Sequence, residues 1–256
     1  RPPGTEAEAT ARAIAMATMA GAPLYVVHLS CAAALAHVTA ARDRGLPVHA
    51  ETCPQYLFLS IADYDRPGSE GARYVMSPPL REAADQEALW SALNDGTIAV
   101  ISTDEAGFNA ADKRRAAGGP LDRVPNGLPG VSLRLPVVFT RGVQAGRLSL
   151  ERFVELCCTN PARIFGLYPR KGVVAPGSDA DLVVIDPRRR VMLNSATQHM
   201  PVDWCAYEGM EVAGFPRYTV ARGSVVVDDY RFTGTAGRGQ FVPGRFAPGQ
   251  AETLCR

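Results

Sequence analysis

The chain has 256 residues, 46% of them hydrophobic and 21% charged, an ordinary globular composition with length enough for a substantial buried core. Its 27 Lys and Arg balance 26 Asp and Glu to a net charge of +1, which argues against nucleic-acid or anionic-membrane partners. No apolar run approaches the ~20 residues of a bilayer span and no signal-peptide core opens the chain, so a soluble cytoplasmic protein is expected.

Arg1-Pro2-Pro3-Gly4 is not a natural translation start, so more chain is expected upstream. Thr5 to Met19 reads as a helix capped by Thr5 with Glu8 three residues on, and Gly21 sits where a C-terminal stop belongs. A strand Leu24 to His28, a helix Ala32 to Arg44 and a short strand Pro47 to Thr52 follow. Tyr64 to Tyr74 is a loop rich in turn residues, then comes a helix Gln86 to Asn94 and a strand Ile98 to Asp104. Near-continuous apolar strands alternating with helices argue for a parallel sheet with covered faces, as part of a barrel and not a whole one.

Gly107 to Gly130 shows no clear periodicity, which is long for a connection and points to a functional or mobile loop. Helices are expected at Leu133 to Ala145 and Leu150 to Leu156, with a separate one starting at Asn160-Pro161 and ending near Gly166. From Lys171 short β-runs take over, at Gly172 to Val174, Asp181 to Asp186, Glu211 to Ala213, Tyr218 to Val220 and Ser224 to Val227, a pattern that suits a small β-sandwich. The fold class is therefore α/β, a partial TIM (β/α)8 barrel of later strands and helices followed by part of a small β-sandwich. Its expected domains are 1–170 barrel, 171–233 sandwich and 234–256 an extended tail.

Two of the barrel strands end on residues that can bind metal, His28 and Asp104, and parallel barrels hold their chemistry at the carboxyl ends of their strands. Two ligands are too few for a metal site, and no third is obvious. A strand-end histidine taken alone is more often a packed core residue, and an aspartate there is often a turn or cap residue. His37, His49 and His199 read as packed or solvated side chains, and Lys113-Arg114-Arg115 and Arg188-Arg189-Arg190 as solvated surface. The cysteines (Cys31, Cys53, Cys157, Cys158, Cys205, Cys255) form no CxxC or CxxH pair and read as reduced thiols, mostly in the core.

Several stretches resemble, in order, the dihydropyrimidinase and hydantoinase family of cyclic amidohydrolases. They are Gly21 to Cys31 (with Tyr25-Val26-Val27-His28-Leu29-Ser30), Glu51 to Leu57 (Glu51-Thr52-Cys53-Pro54-Gln55-Tyr56-Leu57), Tyr74 to Arg81 (with Ser77-Pro78-Pro79-Leu80-Arg81), Pro125-Asn126-Gly127-Leu128-Pro129-Gly130, Thr159-Asn160-Pro161-Ala162 leading to Phe165 to Pro169, Gly177 to Val184 (with Gly177-Ser178-Asp179-Ala180-Asp181) and Tyr207-Glu208-Gly209-Met210. The resemblance implies a TIM barrel with a β-sandwich, two Zn2+ ions bridged by a carboxylated lysine, and attack of hydroxide on a ring amide. Within this chain it implies metal ligands at His28 and Asp104 and imide contacts at Ser77 and Asn126, largely through backbone groups. The His-x-His pair, the lysine, another histidine and a substrate-contacting tyrosine would lie upstream of Arg1.

Asp104 would also take a proton from the attacking water and return it to the departing ring nitrogen. The chain departs from the pattern just after it: Glu105-Ala106-Gly107-Phe108 stands where His, a small residue, Pro and Phe are usual. Glu105 is expected to add negative charge near the metals, which puts substrate orientation and proton transfer in doubt. The leading expectation is opening of dihydropyrimidines or 5-substituted hydantoins to N-carbamoyl amino acids, by a homotetramer whose only partners are small cyclic amides and further copies of itself. The alternative is a catalytically silent assembly module, as the collapsin response mediator proteins are in the same fold family.

Overall fold

The structure is a computed structural model that describes residues 1–245, apart from the side chain at position 121. Among the described residues, contacts divide the chain into two compact units: Arg1–Arg134 with Met192–Met210, and Leu135–Val191 with residues 211–245. No helix among the described residues is long and apolar enough to cross a membrane.

In the first unit, α1 (Pro3–Ala20) begins earlier than expected. Proline at the first helical position has its φ pre-set and no N–H to satisfy. Thr5 therefore lies inside the helix, donating its hydroxyl to Pro2 O at 2.8 Å, and the expected capping box is not formed. Gly21 ends the helix at φ 61°, its N–H on Ala17 and Thr18 carbonyls. α1 packs on α2 (Ala32–Asp43) through Ala7, Thr10 and Ile14 on one side and Ala34, Leu35, Val38 and Ala41 on the other.

The strands are β1 (Leu24–Val26), β2 (Val48–Thr52) and β3 (Val100–Ile101), parallel, with β2 in the middle. Tyr25 registers with His49 and Thr52 with Ile101. The third strand is shorter than the expected Ile98 to Asp104, although Ala99 N–H on Ala50 O and Ser102 N–H on Thr52 O extend the pairing at both ends. The core beneath comprises Val38, Ala50, Leu89, Leu93, Ile98 and Ile101, each essentially inaccessible, Leu89 and Leu93 coming from α4 (Ala83–Asp95). Full burial of each large side chain contributes about 1.5–3 kcal/mol.

Along the chain between β2 and α4 come the short α3 (Pro54–Phe58) and two 3-10 turns, Ile61–Asp65 and Glu70–Tyr74. The stretch expected to be irregular contains a helix, α5 (Ala110–Ala116), whose first N–H donates to Asp203 Oδ1 at 2.7 Å. Its inward face carries Ala110 and Lys113, and Lys113, expected on the surface, is 0% exposed. A lysine on the buried stripe hides that helix from any reading of hydrophobic periodicity.

In the second unit, α6 (Arg134–Val138) runs into a π-helical turn Phe139–Gln144. α7 (Leu150–Val154) is capped by Ser149 and continues through the π turn Glu155–Thr159 into α8 (Asn160–Ile164), so the helix expected to start anew at Asn160 is a continuation. The β-segment forms one four-stranded sheet in the order β4 (Leu182–Met192), β5 (Glu211–Ala221), β6 (Ser224–Asp228), β7 (Arg231–Phe232). Two expected runs fuse into β5 across Gly214, whose φ is 102° and whose missing Cβ would sit 2.4 Å from the Phe139 ring. Gly172 to Val174, expected as a strand, forms a bend and joins no sheet.

Candidate active site

His28 lies two residues past β1 and Asp104 three past β3, so both stand at the carboxyl end of the parallel sheet. Both are non-glycine residues in the left-handed region, at φ 41° and 48°. Such a conformation costs about 1–3 kcal/mol and persists where the surroundings hold it.

The surroundings of His28 come from β2. Glu51 receives the His28 N–H on Oε1 at 3.3 Å and the Tyr25 hydroxyl on Oε2 at 2.7 Å. Leu29 N–H donates to Glu51 O at 2.8 Å, and the Thr52 hydroxyl donates to Leu29 O at 2.8 Å. Burial, then Glu51, push the Tyr25 phenol well above its ordinary range, so it stays a donor.

One step on, Ser30 joins a buried network that ties three elements. Its N–H donates to Glu6 Oε1 at 2.8 Å and its hydroxyl to Glu6 Oε2, while Arg81 donates to Ser30 Oγ at 3.0 Å and pairs with Glu6 at 2.9 Å. Arg81 follows the Ser77-Pro78-Pro79 segment, so the His28 and Ser77 loops share one clamp. Removing one partner of a buried ion pair typically costs about 3–5 kcal/mol.

Around Asp104 the backbone is similarly tied. Gln55 Nε2 donates to Thr103 O at 3.0 Å and Arg134 Nη1 to Ile101 O at 2.7 Å. Glu105 bridges Leu128 in a parallel pairing, and Ala106 N–H donates to Leu128 O at 3.1 Å. The Glu105 carboxylate receives the N–H groups of Gly130 and Val131, each at 2.7 Å. The negative charge next to Asp104 thus also serves as an acceptor for the loop that follows Asn126.

Ser77 and Asn126 meet through Val75, whose carbonyl accepts both Gly127 N–H at 3.1 Å and Lys113 Nζ at 2.8 Å. Tyr56 fixes the other side of Ser77 by donating to Pro78 O at 2.9 Å. The Ser77 side chain is exposed, and Asn126 donates to Val124 O at 2.8 Å and accepts from Arg1 at 3.0 Å. His28, Ser77, Pro78 and Pro79 line one cavity of about 370 Å³, and Asn126, Val75, Met76 and Pro79 line a neighbouring one of about 600 Å³.

Burial shifts the other titratable groups away from chemistry. It pushes the Cys53 thiol well up despite a 3.3 Å contact with Ser102 Oγ, raises Cys31 and Cys205 to about 11, and lowers His49 with help from Arg42. Cys31, Cys53, Cys157 and Cys205 are buried and Cys158 is exposed, while Cys255 lies outside the described residues. The imidazole of His28 and the carboxylate of Asp104 have no hydrogen-bond or ion-pair partner among the described residues. No group of three or more His, Cys, Asp or Glu able to hold a metal occurs among the described residues. An imidazole and a carboxylate, unpartnered at the same end of one sheet on the strands that flank β2, therefore fit a share of a metal donor set and not a whole one.

The supporting residues Glu6, Tyr25, Glu51, Arg81 and Lys113 were not singled out from sequence as site residues. Glu51 and Arg81 did lie inside the quoted motifs, where their partners were invisible. The Amidohydrolase family profile matches residues 5–226. The chain belongs to the amidohydrolase family.

Within this family it is 47% identical over 238 residues to a D-hydantoinase of Streptomyces coelicolor, covering 93% of this chain and 51% of that one. It is 46% identical to a D-phenylhydantoinase of Escherichia coli, covering 94% of this chain and 52% of the relative. The crystal structure of a dihydropyrimidinase from Brevibacillus agri superposes with TM-score 0.94 at 43% identity, over 97% of this chain and 54% of that one. The family resemblance expected from the motifs stands, as does an α/β fold with a parallel and an antiparallel sheet. The chain spans about half the length of the relatives it matches, their carboxyl-terminal part.

Proposed function

We propose that this amidohydrolase chain carries the later metal ligands and the imide-holding loops of a hydantoinase-type cyclic amidohydrolase. The observation that supports this most is the placing of His28 and Asp104 at one end of the sheet, on held left-handed backbone, beside loops that bear Ser77 and Asn126. The substrates are 5-substituted hydantoins or dihydropyrimidines, and the products N-carbamoyl amino acids. Zinc would be the metal and a cytoplasmic homotetramer the assembly; both come from the resemblance alone.

His28 and Asp104 would each hold metal, which supplies Lewis acidity and a water nucleophile at neutral pH. Backbone groups of the Ser77 and Asn126 loops orient the ring imide, pre-aimed by the prolines and by the shared Val75 carbonyl. Asp104 accepts the proton of the attacking water as the C–O bond forms. It then delivers that proton to the ring nitrogen as the C–N bond breaks, so no net proton is gained or lost.

The test is a chimera in which the amino-terminal half of the Streptomyces coelicolor D-hydantoinase precedes this chain. Ring opening of 5-phenylhydantoin and dihydrouracil is followed with and without chelator. Asp104→Asn is expected to lower kcat by about 10²–10⁴-fold, the usual worth of a positioned general base, and His28→Ala to lower zinc content. Chelator-insensitive turnover, or none, overturns the reading. The silent-module alternative drew on Glu105-Ala106-Gly107 and on the first half that lies outside this chain, and turnover by the chimera decides between the two readings.

A further inference from the structure

We propose that Glu105 is a positioning residue, which sets the Asn126 loop against Asp104 by holding the backbone amides of Gly130 and Val131. The assignment rests on the cyclic-amidohydrolase reading and adds a residue to it. Both amides open the 3-10 turn Val131–Leu133, where backbone N–H groups have no acceptor within the turn itself. A carboxylate that accepts two backbone N–H groups makes shorter and stronger bonds than a neutral acceptor would.

The loop between is held at both ends. Gly127 N–H is on Val75 O at 3.1 Å, Leu128 O accepts from Ala106 at 3.1 Å, and Glu105 closes the far end at Gly130 and Val131. Asn126 and its prolines, Pro125 and Pro129, thereby lie on a segment tied by hydrogen bonds to the two residues that follow Asp104. Ala106 and Gly107 are small for a geometric reason. A Cβ on Gly127 would already meet the Ala106 Cβ at 2.2 Å, and one on Gly107 would sit 3.2 Å from Glu105 Oε1 and 3.1 Å from Val202 Cγ1. The run Glu105-Ala106-Gly107 is a matched set in which the carboxylate reaches the turn and the small residues let the loop close over it.

The experiment uses the same chimera, with hydantoin and 5-phenylhydantoin as probes. Glu105→Ala is expected to raise KM about tenfold, the equivalent of ~1.4 kcal/mol, with kcat within threefold. Glu105→Gln keeps an acceptor oxygen and is expected to recover most of the KM. Glu105→Asp, too short to reach both amides, is expected to behave as the alanine variant does and serves if that variant fails to fold. Hydrogen exchange at residues 126–131 is expected to quicken in step with KM while zinc content stays constant.

A KM within twofold of the parent for the alanine or aspartate variant overturns the proposal, as does faster exchange with unchanged KM, which a merely structural tie produces. A parent chimera without turnover overturns the hydrolase reading itself and the positioning role with it. That control separates the two failures.

Discussion

Lys113 has the least expected surroundings in the first unit: fully buried, its ammonium on the Val75 carbonyl, with the Trp204 ring 6.0 Å away. Desolvation alone lowers its pKa from 10.5 to about 8. Between those two values the unfolded chain binds the proton and the folded chain does not, so stability rises with pH across that window and is flat below it. Relative to a Lys113→Met variant, the melting temperature of the parent is therefore expected to rise by several degrees from pH 8 to pH 10.5. A constant difference between the two melting curves over that range would show that the ammonium is not desolvated. In the sequence this residue belonged to a Lys-Arg-Arg run and read as surface, because charge patterning carries no record of what packs above it. His28 and Asp104 were legible, since each closes an apolar strand. Glu51 and Arg81 were legible only as letters in a motif.

At the scale of elements, apolar runs announced the sheet and its helices, and turn chemistry announced most of their ends. What misled was competition between local signals. Pro3 started α1 ahead of the Thr5 cap, and the runs 211–213 and 218–220 read as two strands where the chain continues through Gly214, beside the Phe139 ring. The pairing of residue 105 with 128 was out of reach of any periodicity, because it joins loops and not strands. Gly127 tests that pairing. Its φ is +128° and a Cβ would meet Ala106 at 2.2 Å, whereas Gly45 at φ +73° has open space. Gly127→Ala is expected to destabilise by about 1–3 kcal/mol more than Gly45→Ala, read from urea midpoints at a common m-value. Equal losses would mean the loop yields freely, and the tie to Ala106 would carry no energy.

For the whole molecule, which spans about half the length of its relatives, exposed apolar side chains and open sheet edges bear on how it behaves alone. β1 and β3 each leave an edge unpaired in the three-stranded sheet, and Val27, Met16 and Met19 are exposed in the first unit, as are Val183, Val184, Val225 and Phe232 in the second. Open strand edges and contiguous apolar surface promote association. Residues 1–256 alone are expected to self-associate, to bind zinc weakly and to open no ring. Sedimentation velocity and zinc titration check this, and a monomer that melts in one cooperative transition would contradict it. By itself the sequence determined most of the elements and their order, the family, and the placing of one histidine and one aspartate at strand ends, because hydrophobic period and short motifs are local properties. Tertiary structure alone decided that Glu105 grips a turn 25 positions away, that Val75 joins two loops, and that a lysine lies buried between them. Those contacts depend on which distant backbone groups the folded chain leaves in want of a partner, and no stretch of sequence records that.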